Sequence, residues 1–449
     1  VSASPPSLAN PPAAALGAAE FAAAMAALGP WEPAPRLAAA VSGGADSLAL
    51  AFLADAWTRD RGGRLLCLIV DHGLRAESGA EAEQVRDWLV ARGLEARILR
   101  APAASGERGS IQERARRLRY GLLVEHCREV RIAHLLLAHH RDDQAETVLM
   151  RLVRGSGLRG LAGMAPASLV PASGGRLRLL RPLLGLPKAR LRATLEELGQ
   201  VWVEDPSNRD PRHERVRWRA LLPLLASGGV DPDRLAAAAE RLAEDRWALD
   251  RAAATWLTEA ASPSCYGHVI LRMDGFGGLA PSIAEAALAR VLGAVGGGAY
   301  PPARDSVKSL GAALRRAPDR LARTLAGCVM TLERGRLVVT REDWAAVETC
   351  PARPGLLLWD GRFELRLDGP AERLRGLTIA RLGRKGLAEA RLLLRGTGGR
   401  LPQAPARQLW SLPALWQGQR LVEVPHLPGL FEGKYRASVA WAPRQPLTG

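Results

Sequence analysis

The chain has 449 residues, 47% of them hydrophobic, which is enough for about three domains with cores of their own. Its 62 Lys and Arg against 46 Asp and Glu leave a formal charge of +16, mostly from arginine; this favours a polyanionic partner, although a composition biased to Ala, Gly and Arg would raise the charge as well. Five scattered cysteines (Cys67, Cys127, Cys265, Cys328, Cys350) without a C-x-x-C argue against zinc or an iron–sulfur cluster and for a reducing cytoplasm, and neither a basic leader nor an apolar run of membrane-spanning length is present.

Pro5, Pro6, Pro11 and Pro12 disfavour regular structure at the start, and Ala13 to Leu28 reads as one helix within an N-terminal extension, residues 1–35. Leu37 to Val41 is a small apolar run that leads through Ser42-Gly43-Gly44-Ala45-Asp46-Ser47 into a helical run, Leu48 to Ala56. Leu65 to Val70 is an apolar strand, Ala80 to Arg92 a helix with Val85, Trp88 and Leu89 on one face, and Ala96 to Leu99 a short strand. Ile111 to Arg128 is helical, Ile132 to Ala138 is a strand, and Asp142 to Leu152 is a helix. Apolar strands alternating with helices predict an α/β domain over residues 36–225, with a parallel sheet covered on both faces. Residues 226–350 read as a helical domain, with helices at Pro232 to Leu257, 283–297 and 310–325, one strand at Arg334 to Thr340, and Trp247 and Trp256 as core candidates. Pro351 and Pro354 mark a boundary, and residues 351–449 read as a small α+β module.

In such a sheet, ligands lie beyond the carboxyl ends of the strands. That rule gathers three polar segments: Ser42 to Ser47, Asp71-His72-Gly73-Leu74-Arg75, and His139-His140-Arg141-Asp142-Asp143-Gln144. Two glycines let the first loop turn tightly and approach a ligand, while Ser42, Ser47 and the amides of the following helix start hold an anion. A carboxylate in that nest, Asp46, suits phosphate accompanied by magnesium. The loop lacks the lysine of G-x-x-x-x-G-K-[ST]. His139-His140 is a weak metal pair, because adjacent strand-end side chains point apart.

The pattern S-G-G-x-D-S resembles the pyrophosphate loop of enzymes that split ATP into AMP and pyrophosphate. Further matches are Val70 to Arg75, Arg116 through Arg119-Tyr120, His139-His140 through Asp143-Gln144 with Glu146-Thr147, Arg154-Gly155-Ser156-Gly157, Arg181-Pro182-Leu183-Leu184, Glu204 to Asn208, and Leu221-Leu222-Pro223. Together they resemble the tRNA(Ile)-lysidine synthase family of the PP-loop ATP pyrophosphatases, densely over residues 39–225 and thinly afterwards. The resemblance implies an adenine nucleotide alpha-hydrolase-like fold and ATP-dependent ligation of L-lysine to C2 of cytidine 34 in the CAU anticodon of tRNA(Ile), through an adenylated cytidine. An ATP-dependent tRNA thiolase, another PP-loop ligase and a non-catalytic RNA-binding protein are the alternatives. Ser42, Gly43, Gly44, Ala45, Asp46 and Ser47 then cradle the nucleotide, with Asp46 as the magnesium ligand. Asp71 and His72 floor the nucleotide pocket or cap their strand, one of the two histidines (His139 is the choice) positions the nucleotide, and Thr147 faces the nucleotide or the helix interior. Arg116 holds the α-phosphate, and Asp143, with Asp142 as the alternative, activates the lysine amine. Arg75, Arg151, Arg154, Arg181, Arg215, Arg217 and Arg219 are candidates for tRNA contact, flanked by Lys188, Arg190, Arg192, Arg209 and Arg212. Trp202 and Trp218 stack on RNA or fill a core. The implied setting is cytoplasmic, with a homodimer as one assembly option. Residues 226–350 are then expected to bind the tRNA substrate and residues 351–449 to recognise it.

Overall fold

The computed structural model describes residues 13–71, 73, 77–101, 111–172, 175–204, 210, 212, 214–298, 300–316, 320–343, 349–397, 401–402, 404, 406–427 and 437–448, with the side chains of 111–115, 117, 171–172, 175–176 and 396–397 left out. The chain forms two compact units, Val1–Arg246 and Trp247–Gly449.

The first unit is built on six strands: β1 (Arg36–Val41), β2 (Arg64–Asp71), β3 (Glu95–Arg100), β4 (His134–Leu136), β5 (Ala167–Ala172) and β6 (Gly175–Leu180), in the order β3-β2-β1-β4-β6-β5. All neighbours are parallel except β5 against β6. The helices are α1 (Ala18–Ala26), α2 (Ala45–Arg59), α3 (Ser78–Ala91), α4 (Ile111–Glu129), α5 (Arg141–Val153), α6 (Leu158–Leu161), α7 (Lys188–Glu197) and α8 (Glu214–Ser227); α9 (Pro232–Ala260) runs past the end of the unit.

Period-2 alternation separates the two faces of the sheet. Leu37, Ala39, Val41, Leu65, Cys67 and Ile69 join one core with residues of α1, α2, α3 and α7. Ala38, Leu66 and Leu68 join Leu123 and Cys127 of α4 on the other. Leu16, Phe21, Met25 and Leu28 are buried in the first core, so the segment expected as an extension packs onto the domain from residue 16 onwards. Strand order reverses at β1, which has β2 on one side and β4 on the other. Sheets of this kind take their ligands in a crevice at such a reversal, which here means beyond the carboxyl ends of β1 and β4.

In the second unit an antiparallel sheet, β7-β8-β11-β10-β9, is formed by β7 (Ala261–Pro263), β8 (Val269–Arg272), β9 (Arg320–Leu325), β10 (Cys328–Glu333) and β11 (Arg336–Arg341). It shares a core with α10 (Pro281–Gly296) and α11 (Arg304–Arg316). The expected helices are there, but residues 320–325 are strand rather than helix, and the sheet adds β7 to β10 to the single strand expected. Alternation in Cys328–Glu333, buried at every second residue, is the signal that carried this hairpin partner. Trp256 packs against that core, whereas Trp247 is 63% exposed beneath Arg251. The last core is held between the four-stranded sheet β12-β15-β16-β17 and the three-stranded sheet β13-β14-β18. Their strands are β12 (Cys350–Pro351), β13 (Gly355–Trp359), β14 (Phe363–Leu367), β15 (Leu377–Arg381), β16 (Pro413–Gln417), β17 (Arg420–Glu423) and β18 (Ala437–Trp441), an α+β arrangement with α13 (Gly383–Thr397) between α12 (Ala371–Leu374) and α14 (Ala406–Leu409).

Candidate active site

The loop between β1 and α2 is fixed by its glycines and serines. Gly43 has φ +84°, a conformation that costs any other residue, and a Cβ there would stand 2.4 Å from Val85 Cγ2 of α3. Gly44 is extended (φ −73°, ψ 159°) and caps α2; a Cβ there would meet nothing nearer than Ser42 Oγ at 3.8 Å. Ser47 Oγ accepts from the Ser42 amide at 3.1 Å and donates to the Gly44 carbonyl at 2.9 Å, closing the loop on itself. The Val203 amide donates to Gly43 O at 2.9 Å, a strap from residues that no sequence pattern pointed to.

Asp46, on the first turn of α2, aims into the crevice. His140 Nε2 lies 3.5 Å and Lys188 Nζ 3.3 Å from its Oδ2, while Oδ1 is buried without a protein partner. Burial alone would raise its carboxyl pKa, but His140 and Lys188 hold it below the ordinary carboxylate value.

His140 is the hub. It is the N-cap of α5, its backbone amide donates to Asp143 Oδ2 at 3.1 Å, and its ring lies 3.5 Å from Asp142, 3.5 Å from Asp46 and 3.4 Å from Asp143. Burial works against its charge, yet the three carboxylates push the ring up to about 9. The ring is therefore protonated at neutral pH and both nitrogens donate. The 3.4 Å approach of the Asp143 amide to Nδ1 is then a contact and not a bond. His139 is the opposite case: burial, with Arg181, Arg215 and Arg116 nearby, drives it down to about 4 against the pull of Asp143. It is neutral, and its buried Nδ1 has no protein partner.

The structure separates the two acids. Asp142 accepts the Lys188 amide at 2.9 Å and pairs with His140; burial opposes ionisation, but these partners hold it down to about 2. It anchors the start of α7. Asp143 faces Arg215 at 3.9 Å across the crevice.

Other candidates take local roles. Asp71 accepts from the Gly73 amide at 3.0 Å and the Ser78 hydroxyl at 2.7 Å. Thr147 donates to the Asp143 carbonyl at 2.7 Å, so it faces its own helix. Ala45 is buried at the start of α2. His72 and Arg75 lie outside the described residues. Arg116 is exposed and stands over the Tyr120 ring at 5.2 Å, within electrostatic reach of His139. Among the described residues no group of three His, Cys, Asp or Glu could hold a metal by itself. A magnesium ion needs only one or two carboxylate oxygens when substrate phosphates complete its shell. The unpartnered Oδ1 of Asp46 fits that requirement.

Residues 18–225 match the family described as a PP-loop domain. The chain is 40% identical over 407 residues to the tRNA(Ile)-lysidine synthase of Ruegeria pomeroyi, covering 90% of this chain and 91% of that protein. This chain belongs to the tRNA(Ile)-lysidine synthase family. It is likewise 42% identical over 325 residues to the Rhodopseudomonas palustris enzyme of the same name, covering 69% of this chain and 91% of that one.

Within the family fold, the arginines expected on an RNA face divide. Arg151 donates to the carbonyls of Gly160 and Gly163, each at 2.8 Å, and Arg181 donates to Ala165 O at 2.8 Å; both are internal braces. Arg219 is paired at 2.7 Å with Glu146, which is fully buried. Arg154 pairs with Glu214 at the surface and Arg217 donates to Arg212 O at 3.1 Å. Arg215 stays at the crevice. Trp202 and Trp218 pack against hydrophobic cores. Among the described residues no helix is long and apolar enough to cross a membrane.

Proposed function

We propose that the chain ligates L-lysine to C2 of cytidine 34 in the CAU anticodon of tRNA(Ile), consuming ATP and releasing pyrophosphate and AMP. One observation carries the assignment to these residues: the His140 ring holds Asp46, beside the glycine loop, and Asp143, across the crevice, within 3.5 Å of its nitrogens. A phosphate-side carboxylate and an amine-side carboxylate are thereby fixed against each other.

The amides of the loop and of the α2 N-terminus receive the polyphosphate. A magnesium ion held by Asp46 neutralises phosphate charge when bound. In the first step the cytidine C2 oxygen bonds to the α-phosphorus, the bond to the bridging oxygen breaks, and pyrophosphate leaves with the electron pair. Arg116 stabilises charge on the α-phosphoryl oxygens. In the second step the lysine ε-nitrogen bonds to C2 and the C2–O bond breaks, releasing AMP. Asp143 orients the ammonium and takes the proton that must leave before the nitrogen can attack. Neutral His139, with its free Nδ1, hydrogen-bonds nucleotide or cytidine. Arg154, Arg215 and Arg217 contribute phosphate attraction without reading bases. Residues 226–350 and 351–449 supply the remaining tRNA recognition as two modules.

The five cysteines are scattered and form no C-x-x-C, which disfavours a thiolase that delivers sulfur through paired cysteines. The test is incubation with ATP, labelled lysine and tRNA(Ile) bearing CAU. Label in the tRNA with equimolar pyrophosphate is expected. Pyrophosphate release that proceeds equally without tRNA, or no label, would overturn the assignment.

A further inference from the structure

Lys188 opens α7. Its amide is fixed on Asp142, and its ammonium reaches Asp46 Oδ2 at 3.3 Å. The backbone is therefore anchored while the ammonium, on a side chain 30% exposed, can swing on its flexible stem. The glycine loop carries no lysine of its own, so a helix far downstream supplies the ammonium that other phosphate loops carry internally. Asp46 thus meets the Lys188 ammonium at 3.3 Å and the His140 ring at 3.5 Å on one oxygen, and keeps the other oxygen buried and unpartnered.

We propose that Lys188 is an exchangeable counter-ion: it sits on Asp46 in the nucleotide-free enzyme and moves to the polyphosphate when nucleotide binds, so that the divalent metal enters at Asp46 only together with the nucleotide. The inference rests on the reading of Asp46 as the metal ligand. A divalent ion arriving alone at Oδ1 meets the Lys188 ammonium held on the same carboxylate. Nucleotide phosphates offer Lys188 a more highly charged partner, and its departure removes that repulsion. Once moved, the ammonium donates hydrogen bonds to the β-phosphoryl oxygens that gain charge as pyrophosphate leaves. No proton is transferred.

The probe is Mn²⁺, followed by electron paramagnetic resonance, with and without α,β-methylene-ATP. Lys188→Met removes the charge and keeps the backbone bond to Asp142. Without nucleotide it is expected to bind Mn²⁺ at least about tenfold more tightly than wild type, and to bind the analogue at least about tenfold more weakly. Lys188→Arg, which retains charge, should restore weak metal binding. If Lys188→Met is poorly folded, Lys188→Gln serves in the same titration. Equal Mn²⁺ affinity in wild type and the uncharged variant, or a loss of thermal stability with no change in metal affinity, overturns the exchange. Asp46→Asn tests the underlying reading separately. Loss of Mn²⁺ from the analogue complex supports it, whereas full retention sinks Asp46 as ligand and the exchange with it.

Discussion

Replacing each glycine of the loop by alanine separates the fold from the ligand. At Gly43 the left-handed backbone costs about 1–2 kcal/mol for a residue with Cβ. The new methyl also stands 2.4 Å from Val85 Cγ2, inside a packed core, and such overpacking costs about 1–3 kcal/mol. Gly43→Ala should therefore lose about 2–5 kcal/mol of stability, a large share of the roughly 5–15 kcal/mol that holds a domain folded. Gly44 already has a backbone conformation open to alanine, and its nearest neighbours would be at 3.8 and 3.9 Å. Gly44→Ala should cost less than about 1 kcal/mol, the scale of a poorer helix cap. Its methyl points to where phosphate must come close, so nucleotide affinity should fall at least about tenfold, or 1.4 kcal/mol. Urea unfolding and calorimetric binding of α,β-methylene-ATP measure both. A Gly44→Ala protein that binds nucleotide like wild type would refute the cradle; a Gly43→Ala protein of unchanged stability would refute the packing argument.

Asp142→Ala should cost about 1–3 kcal/mol, because the Lys188 amide and the His140 ring lose their acceptor, while Asp143→Ala should leave pyrophosphate exchange measurable and abolish lysine incorporation; loss of neither step in Asp143→Ala would remove it from the chemistry. Arg219→Ala strands the buried Glu146 carboxyl, which burial already raises; since Arg219 is itself 38% exposed, the cost should be about 1–3 kcal/mol, with much of it recovered in Arg219→Met/Glu146→Leu, as denaturation midpoints will tell. In the second unit, burial drives His426 down to about 4 while its Nε2 donates to Cys265 O. The unfolded chain takes that proton near pH 6.5 and the fold only near 4, so stability contributed by neutral His426 is lost as pH falls through this window. His426→Gln should flatten the slope there, and identical slopes in the two proteins would exclude the assignment.

The first unit was largely legible because two signals coincide in it. Strand runs such as Leu65 to Val70 alternate onto two cores, and Ser42 to Ser47 bears side chains whose chemistry has few other uses. Asp46 and Asp143 could be placed at one rim from strand ends alone. Their coupling through His140 could not, since it depends on three carboxylates that the fold brings to one ring. Lys188 looked like one basic residue among many until α7 brought it to Asp46. Arg151 and Arg181 were indistinguishable from surface arginines because their acceptors are backbone carbonyls, which carry no mark in the sequence. β9 escaped notice because residues 310–325 have enough apolar and arginine content to read as helix.

On this reading, the segments after β1 and β4 surround one triphosphate. A crystal structure with α,β-methylene-ATP and magnesium tests it most directly. Phosphates are expected on the amides of Gly43 to Ser47, the metal at Asp46 Oδ1, and the α-phosphate turned toward Arg116. A nucleotide bound elsewhere, with Asp46 still closed by Lys188, would contradict it.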